Sequence, residues 1–387
     1  MNRKIKILVG LVCLLLLLGQ CKETYVSPYK SPATGYLVVE GYIAKGPTSF
    51  TLSHVIGLPG DSAIPAERGA SVQVEGNDNS VYSLPETGIG VYSVDTLPLN
   101  PTAQYRLRIR TGNGETYLSD FVEFKITPPM DSVNWIRDPS GVNIYANTHD
   151  AANNTRYYQW DYQETWQYDA AEFSGFRYTT QGSSLLGDTV LSRADSEYVY
   201  VCYKNRASTV LYLGTSTKLA QDVIYRQPLN FIPTGRQELG ILYTINVKQY
   251  ALTKAAYDFL SLMKANTESL GSIFDAQPSE LRGNIHSLTN PNEPVVGFIS
   301  AGTVQQQRIF IDRSQLPNWG YFFNCDVPDT LVVIDSIKWY FGSGIFTPIN
   351  KKFNDMGFLI GYTANYSSCV DCTLQGGTTK KPSFWPR

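Results

Sequence analysis

From Arg156 to Tyr168 the chain keeps a two-residue period, with Tyr158, Trp160, Tyr162, Trp166 and Tyr168 on one side and Gln159, Asp161, Gln163, Thr165 and Gln167 on the other. Successive side chains of a β-strand point to opposite faces, whereas on a helix these rings would be scattered around the whole cylinder. A strand of about 40 Å follows, with two edges to pair and an aromatic face to cover. That face reads as the core of a β-rich domain; the competing reading turns the rings outward, to stack on sugars or meet a partner.

Shorter alternating runs precede it. Tyr36–Ile43, Ser49–Leu52, Ser71–Glu75, Gly90–Val94 and Tyr105–Ile109 are separated by Gly, Pro and Asn turns, and the Asn113-Gly114 pair supplies the positive φ values of a tight hairpin. Strands at this spacing predict an immunoglobulin-like β-sandwich over residues 36–126. Thr127-Pro128-Pro129 then forms a stiff joint, because proline cannot donate to a ladder. Residues 130–387 follow as a larger β-rich domain with one helix near 253–266, where Thr253 can cap the start and Ala256, Phe259, Leu260 and Met263 form an inward stripe. The expected fold class is all-β, with one or two helices. Aromatic residues at 13% and charged residues at only 17% agree with a well-buried sheet protein.

The amino end reads as an export leader. A basic Arg3-Lys4-Ile5-Lys6 precedes an apolar run from Ile7 to Leu18, shorter than the roughly 20 residues of a membrane span. Cleavage after Gln20 would make Cys21 the first residue, and Leu18-Gly19-Gln20-Cys21 resembles a bacterial lipobox, although Gln20 departs from its usual small residue. Residues 1–20 are thus expected to be a signal peptide and 21–35 a tether lipidated at Cys21; ordinary secretion with an unmodified Cys21 is the alternative. Lys22-Glu23 resembles the signal that sends Bacteroidota lipoproteins to the outer face of the outer membrane. Losing Arg3, Lys4 and Lys6 from 32 basic residues, against 34 acidic ones, leaves a formal charge of −5. Such a chain carries no basic field for nucleic acid.

Several strings, taken with the leader, resemble the Bacteroidota outer-membrane lipoprotein family called domain of unknown function 4249: Pro129-Met130-Asp131-Ser132-Val133, Gly271-Ser272-Ile273-Phe274-Asp275, Arg282-Gly283-Asn284-Ile285, and the ending Cys369-Val370-Asp371-Cys372 with Lys381-Pro382-Ser383-Phe384-Trp385-Pro386. The tail is the most specific of these. The resemblance implies a surface accessory to a TonB-dependent transporter of the starch-utilisation type, and it supplies no catalytic residue.

Once the leader is gone and Cys21 acylated, Cys202, Cys325, Cys369 and Cys372 remain, an even set that outside the cytoplasm points to disulfides in any of three pairings. A redox or zinc role for Cys369 and Cys372 is the lesser reading, since the motif runs into a Gly-Gly turn rather than a helix. His54, His149 and His286 lie in no metal or nucleophile spacing. Asp161 and Glu164 could pair for glycoside cleavage, but solvated or cross-strand roles are favoured. Phe384 and Trp385 are expected to plug a groove of their own chain. Ser62, Thr96, Ser132, Thr189, Thr330 and Ser336 each follow Asp and precede a small or apolar residue, resembling the Bacteroidota O-glycosylation triplet; equally, Asp-Ser and Asp-Thr open turns in any β-protein.

No cofactor is expected. The leading functional expectation is a non-catalytic, outward-facing outer-membrane lipoprotein that serves a TonB-dependent transporter, with a peptide or glycan ligand left open. An envelope-structural or adhesin role is the second, and a surface peptide or glycan hydrolase the third.

Overall fold

A computed structural model describes residues 35–55, 64–180, 189–268, 282–323, 325 and 330–386. All-β architecture is observed, arranged around two large hydrophobic cores and two small ones. Among the described residues no helix is long and apolar enough to cross a membrane.

The first core lies between two sheets. One runs Leu37–Gly41, Thr48–His54, Val91–Val94 and Glu86–Gly88; the other is built on Val81–Leu84, Ser71–Gly76, Gln104–Arg110 and Val122–Lys125. Phe50, Leu52, Val74, Tyr92, Tyr105 and Leu107 fill the space between them. The expected hairpin forms where Gln104–Arg110 turns into Thr116–Ser119, with Gly114 at φ +93°.

The boundary expected at 126 is too simple, because residues 282–302 return to this sandwich. Ile285–Ser287 pairs with Thr116–Ser119, Ala301–Gly302 lies parallel to both Ile43–Ala44 and Val122–Lys125, and Ile285, Val295, Ile299 and Ala301 enter the same core. The Arg282-Gly283-Asn284-Ile285 string has a local explanation. A Cβ on Gly283 would lie 1.7 Å from the carbonyl oxygen of Gly297, so only glycine allows these two backbones to touch. Asn284 then clamps the returning segment, donating to Ile299 O at 3.0 Å and accepting from Ile299 N at 2.7 Å.

The chain crosses to the second sandwich twice, side by side. Thr127 N donates to Thr303 Oγ1 at 2.8 Å, Thr127 Oγ1 donates to Thr303 O, and Gln249 Nε2 donates to Pro128 O at 2.9 Å. Buried Thr127 and its neighbours thus tie the proline joint to the second core.

That core is closed by a sheet of Met130–Asp138, Gly141–Asp150 and Asp222–Pro233 facing one of Val201–Ala207, Tyr157–Asp169, Leu242–Ala251 and Val304–Asp312. The aromatic strand sits inside its sheet, and Tyr158, Trp160, Tyr162, Trp166 and Tyr168 are all buried, as the inward reading of the period requires. Lys254–Glu268 is the expected helix, with Thr253 Oγ1 accepting from Ala256 N at 3.2 Å and Ala256 and Phe259 facing inward. The Gly271-Ser272-Ile273-Phe274-Asp275 string lies outside the described residues.

A third, smaller unit was not separated in the sequence. Thr330–Val333, Leu359–Tyr366 and Phe346–Phe353 form a sheet whose core is Val332, Phe341, Tyr362 and Ala364, and Tyr178 and Val190 of the hairpin Phe176–Thr179 with Thr189–Ser192 pack against it. Two short helices, Ile337–Gly342 and Ser367–Val370, join the longer one.

Candidate functional site

The four cysteines pair as Cys202–Cys372 and Cys325–Cys369. Cys372 is fully buried in the second core, so the terminal segment is stitched to the strand Val201–Ala207. Hydrogen bonds extend the stitch: Tyr203 and Thr378 exchange a backbone pair at 2.8 and 2.9 Å, and Lys204 Nζ donates to Gln375 O at 3.0 Å. Trp385 is buried edge-on against Tyr203 at 5.1 Å, while Phe384 stays partly exposed with the Arg308 guanidinium 3.7 Å above its ring.

This packing leaves a cleft of about 600 Å³ beside the same strand, lined among others by Trp166, Arg206, Arg236, Glu238, Tyr321 and Phe322. Strand alternation explains what holds its Arg206 wall. Glu164 shares the parity of the rings, so it enters the core with them and is only 1% exposed. A carboxylate there must be fully engaged. Glu164 accepts from Arg206 Nε at 2.5 Å, Asn230 Nδ2 at 3.0 Å and Tyr243 Oη at 2.8 Å. The Arg206 guanidinium also reaches buried Glu238 at 3.2 Å and lies 5.2 Å from the centre of the Trp166 ring. Burial works against the charge on Arg206, but hydrogen bonds and charges from Glu164 and Glu238 outweigh it and hold its pKa above the ordinary value. Burial, reinforced by Glu164, pushes the Tyr243 hydroxyl well up, so it remains a donor.

The rim is freer. The Arg236 side chain is 60% exposed and approaches Glu238 only at 3.5 Å, and the Phe322 ring is 84% exposed. Gln237 spans the wall, accepting from Trp166 Nε1 at 3.4 Å and donating to Tyr321 Oη at 3.0 Å and to Gln375 Oε1 at 3.2 Å. Gln375 Nε2, buried behind it, meets no hydrogen-bond partner among the described residues. Rings beside half-exposed guanidinium groups suit the binding of a flat or anionic ligand. Both carboxylates of the site are held by arginines, which is a poor arrangement for acid–base chemistry.

Family comparison matches residues 22–308 to "Domain of unknown function (DUF4249)". The chain belongs to this family. For this DUF4249 chain the match takes in the first sandwich and most of the second, ending inside the strand Val304–Asp312 and before the tail from Cys369 to Pro386, which the sequence had marked as the most specific part of the resemblance. No curated protein matches it. Among solved structures, a Salmonella alpha-2-macroglobulin mutant is similar over 60% of this chain and 14% of that one, at 12% identity and a TM-score of 0.17. A chitinase from Bacillus thuringiensis is similar over 53% of this chain and 29% of that one, at 11% identity and a TM-score of 0.15. The DUF4249 chain therefore spans under a third of either length, and likenesses this weak carry no argument.

The other sequence-derived candidates are dispersed. Cys21 and Ser62 lie outside the described residues. Thr96 is exposed, and Thr189, Thr330 and Ser336 are half-buried. Ser132 is also half-buried and sits in a strand rather than a turn, at a bulge, where its Oγ accepts from Asn147 Nδ2 at 3.1 Å. Asp161 accepts from Tyr250 Oη at 2.6 Å, a cross-strand role apart from Glu164. His149 lies near the end of the strand Gly141–Asp150 and meets Asp131 at 2.7 Å; His54 meets Glu67 at 2.7 Å and His286 meets Asp120 at 3.3 Å. Among the described residues no three His, Cys, Asp or Glu side chains converge as metal ligands. The sequence reading missed the cleft because Arg206, Gln237 and Tyr321 are far apart in the chain; the available signal was the even spacing of Glu164 with the rings.

Proposed function

We propose that the protein is an outward-facing outer-membrane lipoprotein, held by acyl chains on Cys21, that acts as a non-catalytic binding accessory of a TonB-dependent transporter. The observation that carries the reading is the pair of disulfides, Cys202–Cys372 and Cys325–Cys369, which suits an oxidising compartment outside the cytoplasm. The leader ending at Cys21 agrees with that location, and the resemblance of the leader and sequence strings to Bacteroidota lipoproteins supports the partner. The cleft beside Trp166 and Arg206 is the ligand-binding face in this reading.

Affinity purification of the native lipoprotein from detergent-solubilised membranes tests it. The expected outcome is co-recovery of a TonB-dependent transporter, and an acylated Cys21 at the amino terminus by mass spectrometry. Recovery as a lone species would overturn the partnership, and an unprocessed leader would overturn the anchoring.

A further inference from the structure

Exposed apolar side chains are unevenly distributed. Of the thirty exposed large hydrophobic residues in the described chain, ten fall between 330 and 366, in the small third unit. Its hairpin from Phe346–Phe353 into Leu359–Tyr366 ends in a tip where Phe353, Met356 and Phe358 are 52%, 78% and 66% exposed. Isolated exposed apolar residues need no explanation, but three on one turn, in a unit this rich in them, do.

The turn is built to leave water. Asn354 Oδ1 accepts from Met356 N at 3.1 Å and from Phe358 N at 2.9 Å, Asn354 N donates to Phe358 O at 2.9 Å, and Gly357 N donates to Asn354 O at 2.9 Å. Gly357 takes the φ of +81° that closes this geometry. The N–H groups of Asn354, Met356, Gly357 and Phe358 are thus paired within the turn, which lowers the cost of bringing it into an apolar medium. The rings and thioether are held outward by a locally fixed backbone.

Charge favours one kind of surface. Lys351 and Lys352, both exposed, stand directly behind the tip, and residues 330–366 carry Lys338, Lys351 and Lys352 against Asp335 and Asp355, a formal +1 on a mature chain of −5. Long lysine stems can lie along an inserted apolar tip while their ammonium groups reach anionic headgroups. The 14 residue steps from Cys21 to Gly35 reach at most about 50 Å when extended, so a body anchored at Cys21 remains close to the bilayer.

We propose that the hairpin tip formed by Phe353, Met356 and Phe358, backed by Lys351 and Lys352, inserts into the interfacial layer of an anionic lipid bilayer. This deepens the anchoring part of the proposed function by adding a second, protein-borne membrane contact. Asp355 at the tip opposes insertion, so the contact is weak and reversible and acts with the acyl anchor.

The full mature chain carrying Cys21→Ser, and so without acyl groups, is to be sedimented with phosphatidylglycerol–phosphatidylcholine vesicles and with phosphatidylcholine alone. Binding to the anionic vesicles is expected, falling roughly tenfold in the triple variant Phe353→Ser/Met356→Ser/Phe358→Ser and in Lys351→Glu/Lys352→Glu, and rising in Asp355→Asn. Every substituted side chain is exposed, and circular dichroism checks that each variant remains folded. Absence of binding, or binding that the triple variant leaves unchanged, would overturn the inference. So would a triple variant that binds vesicles normally but loses a transporter in the native pull-down, since the tip would then be a protein-docking element. The vesicle assay needs neither acylation nor a transporter, so its failure is distinguishable from failure of the proposed function.

Discussion

The hydroxyl of Tyr168 donates to the backbone carbonyl of Cys372 at 2.8 Å, across 204 residues of sequence. A ring at the end of the aromatic strand and a half-cystine of the terminal segment thus share one buried contact, next to the bridge from Cys372 to Cys202. Gly377 is part of the same fit: a Cβ there would lie 2.2 Å from the Tyr168 hydroxyl.

Removing the Cys202–Cys372 bridge as Cys202→Ser/Cys372→Ser is expected to cost about 2–5 kcal/mol. The two bridges span 170 and 44 residues, so the longer should stabilise by about 1 kcal/mol more in the loop-entropy treatment. Urea unfolding of both serine pairs measures the difference. Equal or reversed costs would show that native-state packing, rather than loop length, sets their worth.

Arg206→Leu should strand the carboxylate of Glu164 with only Asn230 and Tyr243 as partners. Allowing for the half-exposed position of Arg206, the expected loss is about 1–3 kcal/mol. Adding Glu164→Leu should recover part of it by removing the buried charge. A double-mutant cycle on urea midpoints reads the coupling, and simple additivity would contradict the network.

Gly283→Ala places a methyl against the Gly297 carbonyl and should destabilise by about 2 kcal/mol or more. The effect should be local before it is global: amide exchange is expected to accelerate first in residues 282–302 and in Thr116–Ser119, which pairs with them. Uniform acceleration across both sandwiches would refute that order.

His54 introduces a pH dependence. Burial lowers its pKa, but the hydrogen bond to Glu67 and the contact with the Gly35 carbonyl outweigh burial and leave it raised. A raised folded-state value means that the contribution is complete below the ordinary histidine value of about 6.5 and is lost as pH climbs through the folded value. The expected size is about 1 kcal/mol or less. Urea midpoints taken from about pH 6 upward should fall more steeply in the parent than in His54→Gln.

Local chemistry made much of this fold legible. The two-residue period gave the strand Tyr157–Asp169 and the inward direction of its rings, Asn113-Gly114 gave a hairpin, and Thr253 gave a helix start. The return of residues 282–302 left little trace because its pairings are only two or three residues long and are decided by what the first sandwich lacks. Disulfide partners were equally unreadable, since Cys369 and Cys372 are near neighbours in the chain and yet bond in different places. The buried anchor behind the cleft could have been read from Glu164, an acid at an even position among rings. Its arginine and tyrosine partners come from other strands, and only the assembled sheets bring them together.

The late return of residues 282–302 also sets an order in time. A polypeptide synthesised amino end first presents residues 36–126 long before Ile285, Val295 and Ile299 arrive to fill the same core. The first sandwich cannot close its core until that return, and a fragment that stops near 126 keeps an unfilled seam. The first core is therefore complete only when the far part of the chain reaches back to its beginning.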